Sequence, residues 1–376
     1  METEIKQMQV NDRTTGTEKI ELSQAARERM QKAHALEQAR GGPLGFSRVS
    51  WIIAGLSLIL LVLPLLGIPE TNQRLIAQVL LFAAFAMSYD LLFGYTGIFS
   101  FGHALFFGVG AYTVALTALK LGWPMWAGAI LGVVICGLLG MAVGFVSLRV
   151  QGVFFAMVTL ALASTAHNLS QKMVELTKGE EGLSLIQAKD APDTTAVYFL
   201  ALALAVVSYF VLSRLINSPV GRVLVAIREN ERRAEMIGYN ILAYKLVALA
   251  FSAVIAGLAG MVYGFRNGIV SPVSLDSDIS LLPLLMVILG GAGTLYGAII
   301  GATIIECLNF VLSSSEFVNS VKSWTIVGPI LEHWLLLLGL LYVLIVLFLP
   351  NGFVGTWKLY QPKLGFPFRK KGSTGS

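Results

Sequence analysis

Apolar residues run almost without interruption from Trp51 to Ile68 and from Leu331 to Leu349. Each run is close to the ~20 residues that cross a hydrocarbon core of ~30 Å at ~1.5 Å per residue. Comparable runs follow one another along the chain, parted by short polar or glycine-bearing breaks, and predict spanning helices at 51–68, 75–93, 99–119, 125–148, 153–170, 196–215, 245–264, 280–292, 295–313 and 331–349. The eighth is too short to cross comfortably alone, which leaves open whether it spans or re-enters. So many apolar helices cannot all be buried in a water-soluble core, so the pattern predicts an all-α membrane protein of about ten transmembrane helices.

Composition agrees. The 376 residues are 56% hydrophobic and 13% charged, about half the charged fraction of a water-facing protein. The net charge of +5 invites a nucleic-acid reading, but the basic residues sit in tails and one loop, where membrane topology explains them. Arg40 and Arg48 place the amino end in the cytoplasm, as do Arg214, Arg222, Arg228, Arg232, Arg233 and Lys245 for the loop after the sixth span, and Lys358, Lys363, Arg369, Lys370 and Lys371 for the tail. Ten crossings satisfy all three. The segment from Lys172 to Asp193, with three lysines against five acids, then falls on the outer side. Five crossings on each side of it are the arrangement expected of an inverted repeat with a pathway between the halves. The expected parts are a hydrophilic cytoplasmic extension (1–48), a membrane domain (49–356) and a cytoplasmic tail (357–376). No cleavable signal segment is expected, and 17–39 reads either as a surface helix or as disordered.

Close helix contacts in lipid need small residues. Gly293, Gly297 and Gly301, Gly140 with Gly144, and Gly260 with Gly264 repeat at four-residue spacing and are expected on helix seams. Two glycine-rich stretches break the helical pattern: Gly94 through Gly97, Ser100, Gly102 and His103, and Gly290, Gly291, Gly293 and Thr294. Irregular backbone at membrane depth is tolerated only where protein or a wet cavity surrounds it. Both stretches are therefore candidates for lining a translocation path, the second equally for a turn between helices. Asp90, His103 and Arg149 are expected near the ends of their spans, where snorkelling or pairing satisfies them. Glu306 lies deeper, as a pathway group or a packed one.

The longest polar loop runs from Ser218 to Gly238. Val223, Ile227, Ala234 and Ile237 fit one helical face, while Arg228, Glu229, Asn230, Glu231, Arg232, Arg233 and Glu235 occupy the others, and Gly238 supplies a stop. The mixed charge favours a protein partner over an anionic lipid surface. Cys136 and Cys307 form neither a disulfide framework nor a metal cluster and are expected to pack as small hydrophobes. There is no phosphate loop, catalytic triad, metal motif or dinucleotide fingerprint, so no enzymatic activity and no resident cofactor are expected.

Four segments carry a family resemblance: Gly94-Tyr-Thr-Gly through Ser100-Phe-Gly-His to Tyr112; Gly221-Arg-Val through Ala226-Ile-Arg-Glu-Asn-Glu231; Leu289-Gly-Gly-Ala-Gly-Thr-Leu-Tyr-Gly through Ala302; and Pro350-Asn-Gly-Phe-Val-Gly355. In this order they resemble the LivM-type permeases of branched-chain amino acid ABC importers. The resemblance implies a type II-importer-like fold in the bacterial inner membrane and a second, LivH-like permease. It also implies two cytoplasmic ATPase subunits that bind the ATP, and a periplasmic solute-binding protein. The Arg228 to Gly238 region becomes the coupling helix seated on an ATPase. Urea, short amides or aromatic acids remain alternative solutes, and an ion-coupled secondary transporter using Asp90 and Glu306 is the alternative class. The sequence departs from the pattern in its long hydrophilic start and at Lys178, where the family's outer loop carries a glycine.

Overall fold

The computed structural model describes residues 48–187 and 191–313, with 339, 343 and 352–353. Most of the predicted tenth span, of both tails and of the Pro350 to Gly355 motif lies outside the described residues. The chain divides between Leu58 and Ile59 into two units. Helix α1, Arg48–Val62, runs on into a 3-10 turn at Leu63–Leu66.

The second unit is built from α2 (Glu70–Asp90), α3 (His103–Lys120), α4 (Met125–Ser147), α5 (Val153–Lys172), α6 (Thr194–Asn217) and α9 (Ile241–Asn267), each long and apolar enough to cross a membrane. The short α7 (Pro219–Glu229) and α8 (Glu231–Met236) form the loop between α6 and α9. A hairpin of α10 (Ser277–Gly290) and α11 (Leu295–Ser313), bent by 113° at its break, completes the described bundle. Six long spans plus this hairpin match the all-α reading without fixing the count at ten. The eighth predicted span is one arm of the hairpin, folded closely against the other: a Cβ on Gly290 would lie 1.9 Å from Gly297 O, and one on Gly301 1.9 Å from Met286 O.

α2 is central and is buried without a break from Leu81 to Asp90. It contacts α6, α9 and the hairpin, while α9 in turn packs on α3 and α4. The predicted glycine seams are real contacts. Gly260 lets α9 approach α3 so closely that a Cβ there would lie 1.8 Å from Phe107 O, and Gly140 and Gly144 of α4 face Ala253 and Leu249 of α9. Cys136 is buried on the same seam, but Cys307 is exposed rather than packed as expected, because its side of α11 faces out of the described bundle.

The α7–α8 loop marks one end of the bundle, here the basic-loop end. At the distal end, Leu183–Ser184 and Ile269–Val270 pair antiparallel as a two-residue clip, joining the α5–α6 segment to the end of α9. Lys178 holds φ at +59° in this segment, the one non-glycine residue with positive φ among the described residues. A glycine there would adopt that conformation without the Cβ penalty.

Candidate functional site: a junction of glycine turns and the basic loop

α7 opens with Ser218, whose Oγ accepts from Gly221 N at 3.4 Å, and with Pro219 in the first turn, where a missing N–H costs nothing. Val223, Ile227 and Ala234 are buried together, with Ile241 and Tyr244 beside them. The loop is not one helix, as its apolar spacing suggests. Asn230, extended at φ −161°, breaks it, and its Oδ1 accepts from Arg233 N at 2.9 Å to start α8. The break turns Ile237 out of the predicted buried face. Met236 and Ile237 are 80% and 69% exposed, flanked by Arg232, Arg233 and Glu235, all exposed. Gly238, at φ +96°, ends the loop as predicted. Lys245 Nζ holds Glu231 Oε2 at 2.8 Å and ties α8 to α9.

At the same end, α2 passes into a π-helical turn, Leu91–Thr96, stopped by Gly97 at φ +74°. Asp90 Oδ1 accepts from Gly293 N at 2.7 Å, and the Arg228 guanidinium donates through Nη1 to Gly94 O. Neither contact tolerates a side chain between the turns. A Cβ on Gly94 would lie 2.0 Å from Asp90 Oδ1 and 2.3 Å from Gly293 N, and Gly293 itself holds φ at +80°. Thr294 Oγ1 closes the second turn by donating to Gly291 O at 2.7 Å. Gly352 lies against that turn, where a Cβ would be 2.5 Å from Gly291 N. Segments from all four recognised motifs thus meet at one end of the bundle, although up to about 260 residues of sequence separate them.

Asp90 is fully buried, and its Oδ2 has no hydrogen-bond partner among the described residues. A buried carboxylate with one free oxygen is costly and calls for an explanation. The position assigns it to this junction rather than to lipid-side snorkelling.

A cleft of about 590 Å³ opens beside the junction, between Gly97, Phe99, Phe101, the α4–α5 turn at Gln151–Gly152, and Arg228. Of the residues predicted for the path, Gly97 lines this cleft. Ser100 and Gly102 are buried behind it, with Gly102 N 3.3 Å from Ser100 Oγ and Gly102 against Thr159 of α5. Gly290 and Gly291 are buried in the hairpin turn, while Gly293 and Thr294 are half-buried at its tip.

His103 lies at the end of its span as expected, but that end is fully buried rather than open to snorkelling. The segment from Gly97 to Gly102 is irregular, so α3 starts only at His103. Its Nε2 lies 2.9 Å from Ser252 Oγ, which in turn donates to Ser88 O at 2.6 Å. Ser252 stands about 17 Å along α9 from its start, taking ~1.5 Å per residue, so His103 is deep in the bundle. Because the single Ser252 hydroxyl proton is given to Ser88, Nε2 is the donor to Ser252. The ring is fully buried against Tyr89, with centroids 4.7 Å apart. Ser280 Oγ accepts from Ala104 N at 2.7 Å and satisfies an N–H at the start of α3.

At the distal end, Gln78 Nε2 donates to Glu306 Oε2 at 2.7 Å, and Arg266 Nη2 donates to Gln78 Oε1 at 2.5 Å. Glu306 therefore joins α11 to α2 and, through Gln78, to α9. Lys245, Gln78 and Arg266 are functional candidates that the sequence does not bring forward, whereas it does bring forward Asp90 and Glu306. The available signal was a charged or amide residue inside an apolar run.

Both α4 and α5 expose long faces. That of α4 is large and apolar throughout, with Trp126, Ile130, Val134, Leu138 and Phe145. That of α5 includes Ala161, Thr165 and Asn168 beside Met157.

The family model of the branched-chain amino acid transport system permease component matches residues 73–349. The chain is 28% identical to the high-affinity branched-chain amino acid transport system permease protein LivM of Salmonella typhimurium over 301 residues, covering 73% of this chain and 67% of that protein. It is 25% identical to the probable branched-chain amino acid transport permease LivM of Methanocaldococcus jannaschii over 332 residues, 76% of this chain and 92% of that one. LivH of Escherichia coli, the permease protein of a high-affinity branched-chain amino acid transport system, is 24% identical over 301 residues, 73% of this chain and 91% of that protein. No solved structure matches the chain.

Proposed function

Since the chain belongs to the branched-chain amino acid transport system permease component family, we propose that it forms, with a second LivH-like permease, the pathway of an ATP-driven importer of branched-chain amino acids. It is a transport permease, not an enzyme. Two cytoplasmic ATPase subunits bind the ATP and a periplasmic binding protein delivers the solute. The chain sits in the bacterial inner membrane with the α7–α8 loop and both termini in the cytoplasm.

The observation that carries this reading is the direct contact between Arg228 of the loop and the turns at Gly94 and Gly293. The exposed Met236 and Ile237, ringed by charges of both signs, are the knob that seats in an ATPase, since contiguous apolar exposure on a polar loop is otherwise unfavourable. When the ATPases close, α8 is pushed and Arg228 carries the displacement to the glycine turns. Close backbone packing leaves no slack to absorb it. Asp90 Oδ2, left without a partner, is the acceptor available when Arg228 moves. Gly97 and the cleft form the cytoplasmic mouth of the pathway. Ser100, Gly102 and His103 shape it from behind, Gly290, Gly291 and Thr294 brace the turn, and the exposed face of α5, on which Thr165 and Asn168 interrupt apolar residues, looks toward the second permease.

The test is reconstitution in liposomes with the second permease, the ATPases and the binding protein. ATP-dependent leucine uptake that Arg228→Glu abolishes, with assembly of the complex intact, is the expected result. Uptake by the lone chain, driven by a sodium or proton gradient without ATP, would replace this reading with a secondary transporter.

A further inference from the structure

The two arginines at the distal end have no topological explanation, because basic residues favour the opposite end of a spanning chain. Arg74 and Arg266 line a pocket of about 230 Å³ between the ends of α2, α6 and α9. The volume lies below the ~300 Å³ at which sites for drug-sized molecules begin and suits one small solute.

Arg266 is rigidly held. Nη2 bonds Gln78 Oε1 at 2.5 Å, Nη1 bonds Asn267 Oδ1 at 2.9 Å and Nε reaches Arg74 O at 3.4 Å. A guanidinium has five N–H donors, so donors remain for a ligand. Among the described residues Arg74 is held by long contacts, 3.4 Å to Thr194 Oγ1 and 3.9 Å to Glu70. The remaining walls include Ala77, Val197 and Phe265. A pocket that sets guanidinium groups beside apolar walls is built for a molecule with a carboxylate at one end and hydrocarbon at the other. A protein carboxylate would need the guanidinium groups but not an apolar recess.

We propose that Arg74 and Arg266 form a carboxylate-binding subsite at the distal mouth, which receives the α-carboxylate of an apolar amino acid while the side chain rests on Ala77, Val197 and Phe265. The subsite deepens the functional reading above and rests on it for the identity of the solute. Because Arg266 also bonds Gln78, and Gln78 bonds Glu306, an occupied subsite acts directly on the contact between α2 and α11. Carboxylate and hydrocarbon are the groups recognised, and the ammonium is not read at this position.

Saturation-transfer NMR on the full chain in lipid nanodiscs, with leucine, 4-methylpentanoate and leucinamide as probes, tests the assignment. Leucine and 4-methylpentanoate should bind, with leucinamide weaker by about tenfold, the factor that one lost charge-assisted contact of ~1.4 kcal/mol corresponds to. Arg74→Gln should weaken carboxylate binding without lowering the thermal unfolding midpoint, since Arg74 has few contacts to lose, and Arg266→Gln should weaken it further. Equal binding of leucinamide, or wild-type carboxylate binding by Arg74→Gln, overturns the subsite even where the complete transporter imports leucine. Carboxylate-selective binding that Arg74→Gln weakens, in a chain whose complex imports no leucine, retains the subsite and overturns the functional reading instead.

Discussion

At the basic-loop end, α2 meets the α10–α11 hairpin through one short side chain, Asp90, and the close packing of Gly94 on Gly293, whereas at the distal end the same elements meet through the longer Gln78 and Glu306 side chains. In the first contact the Asp90 side chain is short, fully buried and wedged against Gly94, so displacement on one side must move the other. The second has several side-chain torsions on each partner and tolerates small shifts while keeping its hydrogen bond. On the proposed function, this difference suits the basic-loop end to force transmission and the distal end to solute-dependent adjustment.

The harshest way to break the comparison is to put a side chain into the backbone junction. Gly94→Val forces atoms into the space held by Asp90 Oδ1 and Gly293 N, an overpacking cost of about 3 kcal/mol. Uptake by the reconstituted complex should be lost, and the hairpin should show faster amide exchange. Removing the loop's link is milder. Arg228→Ala gives up a charge-assisted hydrogen bond worth about 1.5 kcal/mol, reduced by the exposure of the side chain, and uptake should fall about tenfold while the complex still hydrolyses ATP. The distal contact should forgive more. Glu306→Gln still offers an oxygen to Gln78, loses the charge, and should lower uptake by only about fivefold, near 1 kcal/mol. Glu306→Leu, which leaves the Gln78 amide unpaired, should cost more. The smallest effect lies away from both ends. Lys178→Gly relieves a left-handed conformation and should stabilise the protein by about 0.5–1 kcal/mol, read as a raised thermal midpoint with unchanged uptake.

Hydrophobic runs were enough to find the long spans and to suspect the short hairpin arm, because lipid solvation is written residue by residue. The glycine seams were also legible, since four-residue spacing puts small residues on one helical face. What spacing could not supply was depth. Ile98, Phe99 and Phe101 look like helix to a hydropathy pattern, yet the irregular Gly97–Gly102 segment carries them, and His103, the first residue of α3, is therefore fully buried. The kink at Asn230 escaped for a related reason: an Asn between two Glu residues fits the polar side of a helix as readily as it fits a cap. The meeting of Gly94, Arg228, Gly293 and Gly352 is a tertiary fact, because long-range contacts leave no local period. Their resemblance to a family named the motifs without locating them together.

The central claim is that the junction transmits the work of ATP hydrolysis to the pathway. Gly293→Ala tests it most directly, since alanine held at φ +80° costs roughly 1–2 kcal/mol, enough for about a tenfold effect. The quantity to measure is the number of ATP molecules hydrolysed per leucine imported by the complete, reconstituted transporter. The account predicts that this ratio rises about tenfold while hydrolysis itself is retained. An unchanged ratio, with uptake and hydrolysis both at the wild-type level, would contradict it.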